Sequence, residues 1–538
     1  MNSGSTRKPE STLSPRKAPL LLLLAALGLL SGCNLPSAAL DPATATQIAA
    51  RQTQVAGTYP SPTPIFREEP GPLQTPPSLT TPEPVPPQLP VLTLTATLDM
   101  PVPEGMRLYY SQSGDTLAAV ASHFLARSSE LRLPLALDEQ ELLPVGTPIL
   151  IPDNFQAEPA YPQLALPDAD ILFSKGSGSQ DLEAWIEQGA GYLAGYHQYI
   201  SGQRMSAAEI IRLVAVENSI NPRLLLALVE YRSGWLFSFP QDLEEYQYPI
   251  GYYAPKVTGL YDELTVTARV LGQGYYGWRL GTLDHLTFRD DSKAPIHPAL
   301  NAGSVGIQNL FAALYTPDLF WDALYGQQGF LALYTRLFGE PWARAALQGA
   351  LMPAGISQPT LSLPFLPGLT WGLTSGPHIS WQAGTPRGAL DFAPRTGERG
   401  CYISSTWAGA SAAGLVVRSQ RGAVALDLDG DGDEGTGWVI LYLHLAPEER
   451  VAVGTWVEAD APLGHPSCEG GVSTGTHLHI ARKYNGEWIA AEGPLPFILD
   501  GWQAYAGVSS YGGWLIRNGE TVVSSATRDP ASEIRRDP

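Results

Sequence analysis

Histidine and aspartate residues interrupt three short apolar runs near the C-terminal end of the chain. In the run GTHLHI, residues 475–480, His477 and His479 alternate with apolar residues, so a strand would project both imidazoles from one face. Asp391 stands alone in the run ALDFAP, and His444 stands alone in the run LYLHL. A lone carboxylate among apolar residues is costly to bury unless it is paired or bound to a metal. Two imidazoles on one face can serve one metal, or a metal and a reacting group, and a structural histidine pair is the alternative.

The segment that carries these runs is rich in glycine, threonine and valine and begins at about Leu361. Its short alternating stretches predict a C-terminal, mainly antiparallel β domain over residues 361–505. Five of the nine histidines of the chain lie in it: His378, His444, His465, His477 and His479. Repeated polar interruptions of apolar strands are hard to explain as packing, which favours a metal site.

Together, these runs resemble the motifs of the lysostaphin-type and β-lytic, LasA-like zinc metalloendopeptidases, which cleave peptidoglycan, over residues 361–503. Most of that family place the first histidine ligand four residues before the aspartate, where this chain has Arg387, which cannot bind zinc. The β-lytic branch carries this histidine on a longer loop, and His378, 13 residues before Asp391, is similar to that arrangement. The resemblance therefore implies a zinc ion held by His378, Asp391 and His479. The alternative is that His378 is a loop histidine in a degenerate regulator.

The same resemblance places His444 and His477 beside the metal as catalytic residues. Two histidines and one carboxylate leave a fourth zinc position open, as catalytic zinc sites do. One flanking imidazole would take a proton from water, and the other would stabilise the oxyanion or the leaving amine. The sequence does not divide these roles between them. His465, in the sequence GHP, falls outside the family's motifs and is interpreted as a loop residue near the cleft.

An acidic run in the same domain is similar to the start of a calcium-binding loop. Its four aspartates are Asp427, Asp429, Asp431 and Asp433. The match is partial, because Trp438 stands at the twelfth position instead of a glutamate. Calcium is therefore a second candidate cofactor, and a solvated acidic hairpin is the alternative.

The N-terminal residues 1–33 are typical of an exported protein. Their apolar run, Ala18–Leu30, contains 13 residues, which suits a signal peptide and falls short of the roughly 20 that a membrane span needs. The run ends in LSGC, which resembles the bacterial lipobox and implies lipidation of Cys33 and an extracytoplasmic, lipid-anchored location. An ordinary cleaved signal or a short anchor is the alternative. The two remaining cysteines, Cys401 and Cys468, could form a disulfide in that compartment.

Two further regions separate the signal from the middle of the chain. Residues 34–105 are rich in proline, threonine and serine and predict an extended linker. Residues 106–153 resemble a LysM module through the sequences SGDTL and VGTPILIP, although the middle of the module is less typical. That resemblance implies a βααβ fold that binds the glycan strands of peptidoglycan, and a small structural unit is the alternative.

Residues 168–352 are predicted to form an α-helical domain, with a capping-box sequence at residues 206–209. The run Asn221–Trp235 resembles lysozyme-like lytic transglycosylases, but Arg232 stands where their catalytic glutamate lies. Because an arginine cannot donate the proton that glycoside cleavage needs, the domain is interpreted as an inactive, glycan-binding relative. A plain helical spacer is the alternative. Residues 506–538 are left as a C-terminal tail that could add a strand or remain loose.

The formal net charge of −19 argues against nucleic-acid binding, which needs a basic surface. The sequence therefore predicts a multidomain surface lipoprotein that carries a zinc endopeptidase for the peptide cross-links of peptidoglycan. Its partners would be peptidoglycan, bound through the LysM module, and the membrane, bound through the lipid. Two other functions stay open: an inactive peptidoglycan-binding scaffold or activator of other hydrolases, and a protease for glycine-rich extracellular proteins.

Overall fold

The computed structural model describes residues 102–134, 141–254, 256–527 and 529–537. The predicted signal peptide, the predicted lipidation site Cys33 and residues 34–101 of the predicted linker lie outside the described residues. All described residues belong to one compact unit, Thr97–Pro538. Within it, the helical middle region and the antiparallel C-terminal region are confirmed.

A small two-stranded module opens the described chain. Its elements are β1 (Met106–Tyr110), α1 (Leu117–His123), a 3₁₀ turn (Ser128–Glu130) and β2 (Pro148–Pro152). Strands β1 and β2 pair antiparallel, and their buried faces form a small core with α1. The hydroxyl of Thr116 caps α1 by accepting the N–H of Ala119 at 3.2 Å. In its described residues the module therefore has one α-helix and one 3₁₀ turn between its two strands, where the sequence predicted two helices.

The middle region is helical and carries two short strand pairs. Its helices are α2 (Asp168–Ile171), α3 (Leu182–Gly189), α4 (Ala207–Asn218), α5 (Pro222–Ser233), α6 (Leu243–Gln247), α7 (Gly259–Arg279), α8 (Ala302–Leu314), α9 (Pro317–Tyr325), α10 (Phe330–Phe338) and α11 (Pro341–Gln348), with a 3₁₀ turn at Tyr192–Gly195. The pairs are β3 (His197–Ile200) with β4 (Gln203–Ser206), and β5 (His285–Thr287) with β6 (Lys293–Pro295). Helix α4 begins at the predicted capping box, where the Ser206 N–H donates to the Glu209 carboxylate at 2.7 Å. In the described part of the chain, no helix combines the length and apolarity needed to cross a bilayer.

The C-terminal region is built of short antiparallel strands. They are β7 (Thr370–Ile379), β8 (Arg387–Pro394), β9 (Ala408–Gly409), β10 (Gly414–Gln420), β11 (Ala423–Asp427), β12 (Trp438–Leu443), β13 (Trp456–Val457), β14 (Pro462–Gly464), β15 (Leu478–Tyr484), β16 (Glu487–Trp488), β17 (Ile498–Leu499), β18 (Trp502–Ala506), β19 (Gly513–Arg517), β20 (Glu520–Val523) and β21 (Glu533–Arg535), with a 3₁₀ turn at Pro530–Ser532. The large sheet has the order β13-β10-β11-β12-β15-β8-β7-β21, with β16 on β15. Strands β9 and β14 pair separately, and β17 to β20 form a second sheet. Strands β19, β20 and β21 lie within the predicted tail, and β21 extends the large sheet beside β7.

Alternate residues of the large sheet face two different cores. On β15, Leu478 and Ile480 belong to a core inside the β region, whereas Ala481 belongs to the core formed mainly by the helices. On β12, Tyr442 belongs to the core inside the β region, and Leu441 belongs to the core formed mainly by the helices. The helical region therefore covers one face of this sheet. Because side chains alternate along a strand, His479 lies on the same face as Ala481.

One buried arginine joins the three regions. Arg279, at the end of α7, pairs with Asp168 at 2.8 Å and with Glu487 of β16 at 2.9 Å, and it donates to the carbonyl of Ser113 in the N-terminal module. A cation that is buried in this way is tolerated only when it is fully paired. The three regions are therefore held together by polar contacts as well as by apolar packing.

A buried ion cluster fixes the acidic run to the large sheet. Glu434 accepts two hydrogen bonds from Arg418 of β10, at 2.8 and 3.0 Å, and a further one from Lys483 of β15. Burial alone would raise the pKa of Glu434, but the two cations hold it down at about 2. The cluster therefore stabilises the fold above pH 4.5, and this contribution falls as the pH drops from 4.5 toward 2.

We expect Glu434→Gln to lower the free energy of unfolding by roughly 3–5 kcal/mol at pH 7, because it leaves two buried cations without a counter-charge. Urea unfolding measures this difference, which should shrink as the pH falls below 4.5, where the wild-type carboxylate becomes protonated in the unfolded chain. Glu520→Gln, at an exposed position of β20, is the matched control, with an expected change below about 0.5 kcal/mol. Equal unfolding curves for Glu434→Gln and wild type would contradict the prediction.

A disulfide links Cys401 and Cys468, whose Cα atoms lie 5.6 Å apart. It closes a loop of the unfolded chain with a sequence separation of 67 residues. We expect the double substitution of both cysteines by serine to lower the free energy of unfolding by about 2–4 kcal/mol, since the unfolded chain regains conformational freedom. Urea unfolding without reductant measures this difference. With added reductant, the wild type should unfold at the same urea concentration as the variant. Coincident curves without reductant would be the contrary result.

Candidate metal centre

Adjacent strands of the large sheet bring the predicted ligands together. His479 on β15 lies directly opposite Asp391 on β8. On the other side of β8, strand β7 carries His378, which lies opposite Ala389. On the far side of β15, strand β12 ends at Leu443, the partner of His479, and His444 follows it. Residues that are distant in sequence therefore converge at one end of the sheet, on the face toward the helices.

Three donor atoms form a nearly equilateral triangle. The Asp391 Oδ1 lies 3.3 Å from the His378 Nε2 and 3.2 Å from the His479 Nδ1, and the two nitrogens lie 3.2 Å apart. A tetrahedral zinc ion with bonds of about 2.0–2.1 Å separates its ligand atoms by roughly 3.3–3.4 Å. The three atoms therefore fit one triangular face of such a site, with the fourth corner left for a water or a substrate.

Backbone carbonyls fix which nitrogen of each ligand histidine is free. The His378 Nδ1 lies 3.0 Å from the carbonyl oxygen of Gly376, and the His479 Nε2 lies 2.9 Å from that of Ser380. A carbonyl can only accept, so each of these nitrogens carries the proton. The opposite nitrogens, His378 Nε2 and His479 Nδ1, keep their lone pairs and are the two in the triangle. This orientation of a ligand imidazole by an outer partner is typical of metal sites.

The carboxylate of Asp391 completes the donor set. Its Oδ1 is buried and accepts no hydrogen bond from the described residues, although both imidazole nitrogens lie close by. Burial would raise the pKa of Asp391, but the surrounding imidazoles of His378, His479 and His477 hold it well below its usual range. An ionised, buried oxygen without a hydrogen-bond donor is chemically suited to a cation.

The ligand histidines are nearly inaccessible to solvent, and the pKa values of the two imidazoles shift in opposite directions. Burial would lower the pKa of His378, but the adjacent Asp391 raises it. For His479, burial prevails and the pKa is lowered. A metal replaces the proton at these nitrogens, so its affinity depends on pH.

Two further imidazoles flank the triangle. The rings of His444 and His477 lie 4.4 Å apart, and the His477 Nε2 lies 3.7 Å from the Asp391 Oδ2. The Nδ1 atoms of both rings donate to backbone carbonyls, His444 to Glu469 at 3.0 Å and His477 to Gly475 at 2.8 Å. Both Nε2 atoms therefore keep their lone pairs. Burial, together with repulsion from His477 and His479, lowers the pKa of His444 to about 3.

His444 differs from its sequence-based description as an interruption within a strand. Strand β12 ends at Leu443, and His444 follows with a φ of 70° in the left-handed region. The carbonyl of His444 accepts the backbone N–H of Ser467 at 2.6 Å and the hydroxyl of the same residue at 3.0 Å. This conformation is uncommon for residues other than glycine and costs about 1–3 kcal/mol, which the contacts to Ser467 offset.

Helical residues contact two loops of the β region. Gln382, in the hairpin after His378, donates to the side chain of Asn218 and, at 3.2 Å, to the carbonyl of Thr265. In the turn between β10 and β11, Arg421 pairs with Glu217 at 3.1 Å. Residues 217–218 at the end of α4 therefore contact the loop after His378 and this turn, and no sequence motif indicated these contacts.

Other predicted site residues lie apart from the triangle. His465 packs its ring on Trp407 at 4.0 Å and approaches Glu449 at 3.2 Å. Asp427, Asp429 and Asp431 bring carboxylate oxygens close together, which leaves calcium binding a prediction. Arg232 donates to the carbonyl of Ile250 at 2.8 Å.

The backbone carbonyls that orient the four histidines of the centre could not be predicted from the sequence, because any residue type supplies one. They belong to Gly376, Ser380, Glu469 and Gly475. Of these four residues, only Gly376 is of a type that the structure requires, because a Cβ there would lie 2.5 Å from the Cα of Gly513. This close backbone contact indicates that the segment before His378 is tightly placed.

Comparison with known proteins gives matches to a family model, to related proteins and to a solved structure. Residues 164–352 match the family model described as "LasA, N-terminal domain". Protease LasA of Pseudomonas aeruginosa is 29% identical over 357 residues, which cover 62% of this chain and 77% of that protein. The solved structure of an M23 metalloprotease, pseudoalterin from the deep sea, is 23% identical with a TM-score of 0.27 and covers 31% of this chain and 96% of that chain.

A further relative matches a shorter stretch of the chain. The β-lytic metalloendopeptidase of Lysobacter enzymogenes is 30% identical over 154 residues, which cover 28% of this chain and 82% of that enzyme. With this identity over most of the enzyme's length, and with the donor triangle on the large sheet, the chain belongs to the β-lytic metalloendopeptidase family.

Proposed function

We propose that this chain is a zinc endopeptidase that cleaves the peptide cross-links of peptidoglycan. The observation that carries the proposal is the buried triangle of His378, Asp391 and His479, with edges of 3.2–3.3 Å. Membership of the β-lytic metalloendopeptidase family supports hydrolysis of peptide bonds at this site. The substrate class follows from the sequence motifs shared with enzymes that cut cross-bridges.

Each residue of the centre has a distinct task in this proposal. Zinc would be held by the His378 Nε2, the Asp391 Oδ1 and the His479 Nδ1. When bound, it supplies Lewis-acid polarisation of the scissile carbonyl. The carbonyls of Gly376 and Ser380 keep the ligand imidazoles in the correct tautomer. His444 and His477 each turn an unprotonated Nε2 away from the carbonyl that binds their Nδ1, so each can accept a proton.

The two flanking histidines are assigned different tasks. An imidazole whose Nδ1–H is bound to a carbonyl can donate from Nε2 only as the doubly protonated cation. Because its pKa is lowered to about 3, His444 is neutral near pH 7 and serves as an acceptor. We assign the task at the oxyanion or the leaving amine to His477, whose Nε2 lies 3.7 Å from the Asp391 Oδ2 and would donate only after it has accepted a proton.

Residues 106–153 are proposed to act as a LysM module that holds the enzyme on glycan strands. The antiparallel pairing of β1 with β2, and the helix α1 between them in sequence, support this assignment. Binding of this kind would raise the local concentration of cross-links around the catalytic region. Glycan binding by the helical region and calcium binding by the acidic run stay additional proposals.

An extracytoplasmic, lipid-anchored location at Cys33 is proposed from the sequence. The disulfide between Cys401 and Cys468 supports an oxidising compartment, because such bonds are rare in the cytosol. Labelling of the expressed protein with a radioactive fatty acid tests the anchor, and Cys33→Ala should lose the label. Equal labelling of both proteins would place the lipid elsewhere.

The proposed activity is tested by incubating the purified chain with peptidoglycan and measuring two kinds of new end. Cleavage of cross-links releases free amino groups, whereas glycan cleavage releases reducing sugar ends. We expect amino groups alone, with loss of activity in a chelator and recovery after zinc is added. Asp391→Asn, which keeps the side-chain shape, should be inactive. Reducing ends would indicate a glycosidase, and no new ends in the wild type would favour the scaffold or activator.

A further inference from the structure

Arg387 lies close in sequence to the metal ligand Asp391 but cannot itself bind zinc. It stands four residues before Asp391, where most lysostaphin-type relatives carry a ligand histidine. In the structure it begins β8 and pairs with Ile379 of β7, one residue after the ligand His378. We infer that Arg387 is a positioning residue of the metal centre, which holds His378 and the C-terminal hairpin in register. This inference rests on the proposed zinc site.

The guanidinium of Arg387 binds four backbone carbonyls at once. Its Nε donates to Pro377 at 2.9 Å, and its Nη1 donates to Gly507 at 2.9 Å. Its Nη2 donates to Ser509 at 2.9 Å and to Gly512 at 3.3 Å. Four of its five N–H groups are thereby used, and all four acceptors are backbone carbonyls. This pattern fixes backbone geometry and does not neutralise charge.

These carbonyls come from two segments that must fit each other closely. Pro377 directly precedes His378, and residues 507–512 connect β18 to β19. The Gly376 N–H donates to the carbonyl of Tyr511 at 2.9 Å. A Cβ on Gly513 would lie 2.7 Å from the Pro377 Cδ, so the two backbones are in direct contact. Arg387 therefore joins the ligand strand to the loop of the hairpin.

The same segment sets the tautomer of His378. The Gly376 carbonyl accepts the Nδ1–H of His378 at 3.0 Å, which leaves Nε2 free for the metal. If the segment 376–378 shifted, both the position of Nε2 and this hydrogen bond would change together. Arg387 thus acts on the metal through Pro377 and Gly376 and does not contact the donor triangle itself. The predicted tail, residues 506–538, then includes part of the scaffold of the metal centre.

Zinc affinity of the full chain tests the inference, measured by competition with a coloured chelator. Arg387→Lys keeps the charge but cannot reach four carbonyls in one plane. We expect it to weaken zinc binding roughly 10- to 100-fold, as loss of an outer partner of a ligand does. Gly513→Ala perturbs the same contact from the hairpin side, and we expect it to weaken zinc binding as well. The absorption spectrum of bound cobalt should change in both variants.

Arg395→Lys is the matched control. Arg395 follows the other end of β8 and also donates to a carbonyl of the C-terminal segment, that of Asp529 at 3.0 Å. We expect Arg395→Lys to lower the unfolding midpoint of the metal-free protein without changing zinc affinity. Zinc affinity within threefold of wild type in folded Arg387→Lys or Gly513→Ala would overturn the inference, as would an equal loss in Arg395→Lys. Absence of zinc binding in the wild type would instead remove the proposed site.

Discussion

Alanine in place of His378 is expected to abolish stoichiometric zinc binding and to slow cleavage of peptidoglycan by more than about 100-fold. The His378 Nε2 is one of three donors, 3.3 Å from the Asp391 Oδ1 and 3.2 Å from the His479 Nδ1. Loss of a partner that merely orients a ligand costs roughly 10–100-fold, so loss of the ligand itself must cost more. Metal analysis after dialysis against a fixed free zinc concentration measures the first effect, and release of amino groups measures the second.

His465→Ala is the control for this experiment. His465 is also a buried histidine of the β region, but its ring packs on Trp407, 4.0 Å away, and not on the donor triangle. We expect normal zinc content in this variant and activity within about threefold of wild type. Normal zinc and normal cleavage in His378→Ala would exclude His378 as a ligand. That result would favour the interpretation of His378 as an ordinary loop histidine.

Local alternation was sufficient to predict which side chains of the site share a face. In the run around His477 and His479, apolar residues alternate with polar ones, and Leu478 and Ile480 indeed lie in the opposite core. The same two-residue period isolates Asp391 between Leu390 and Phe392, which are both buried in that core. A pattern of this kind depends only on neighbouring residues, which is why the sequence reveals it.

Contacts between distant segments could not be predicted in the same way. Arg387 looked like a lost ligand because its partners, the carbonyls of Pro377 and of residues 507–512, carry no side-chain signature. The left-handed turn at His444 depends on Ser467, 23 residues later in the chain. Likewise, no local pattern places Glu217 beside Arg421, 204 residues away. These features follow from the way the sheet and helices pack, and not from the period of any one strand.

The tail illustrates how composition can hide a structural role. Residues 513–517 and 520–523 are short and partly exposed, so their alternation is weak, yet both form strands. Leu515 and Val522 still contribute to the core of the β region. Because the loop before β19 contacts the segment of His378, the end of the chain contributes to the centre as well as to the fold.

Replacing His444 by alanine separates proton transfer from metal binding. We expect kcat to fall by roughly 10²–10⁴-fold, the range for loss of a general base or acid, while zinc affinity stays within threefold of wild type. The reason is that His444 lies outside the triangle, with its ring 6.2 Å from the ring of His479. The kinetic assay and chelator competition are performed on the same preparations, and added imidazole should restore part of the lost rate.

The metal-free form of the same variant has a predictable dependence of stability on pH. Burial disfavours the imidazolium of His444 and lowers its pKa from 6.5 to about 3. Between these values the unfolded chain binds a proton at this residue and the folded chain does not, so the wild type loses stability as the pH falls below 6.5. His444→Ala removes this contribution, and its free energy of unfolding should fall less steeply between pH 6.5 and 4. Parallel slopes for the two proteins would contradict the lowered pKa, and with it the assignment of His444 as the neutral acceptor.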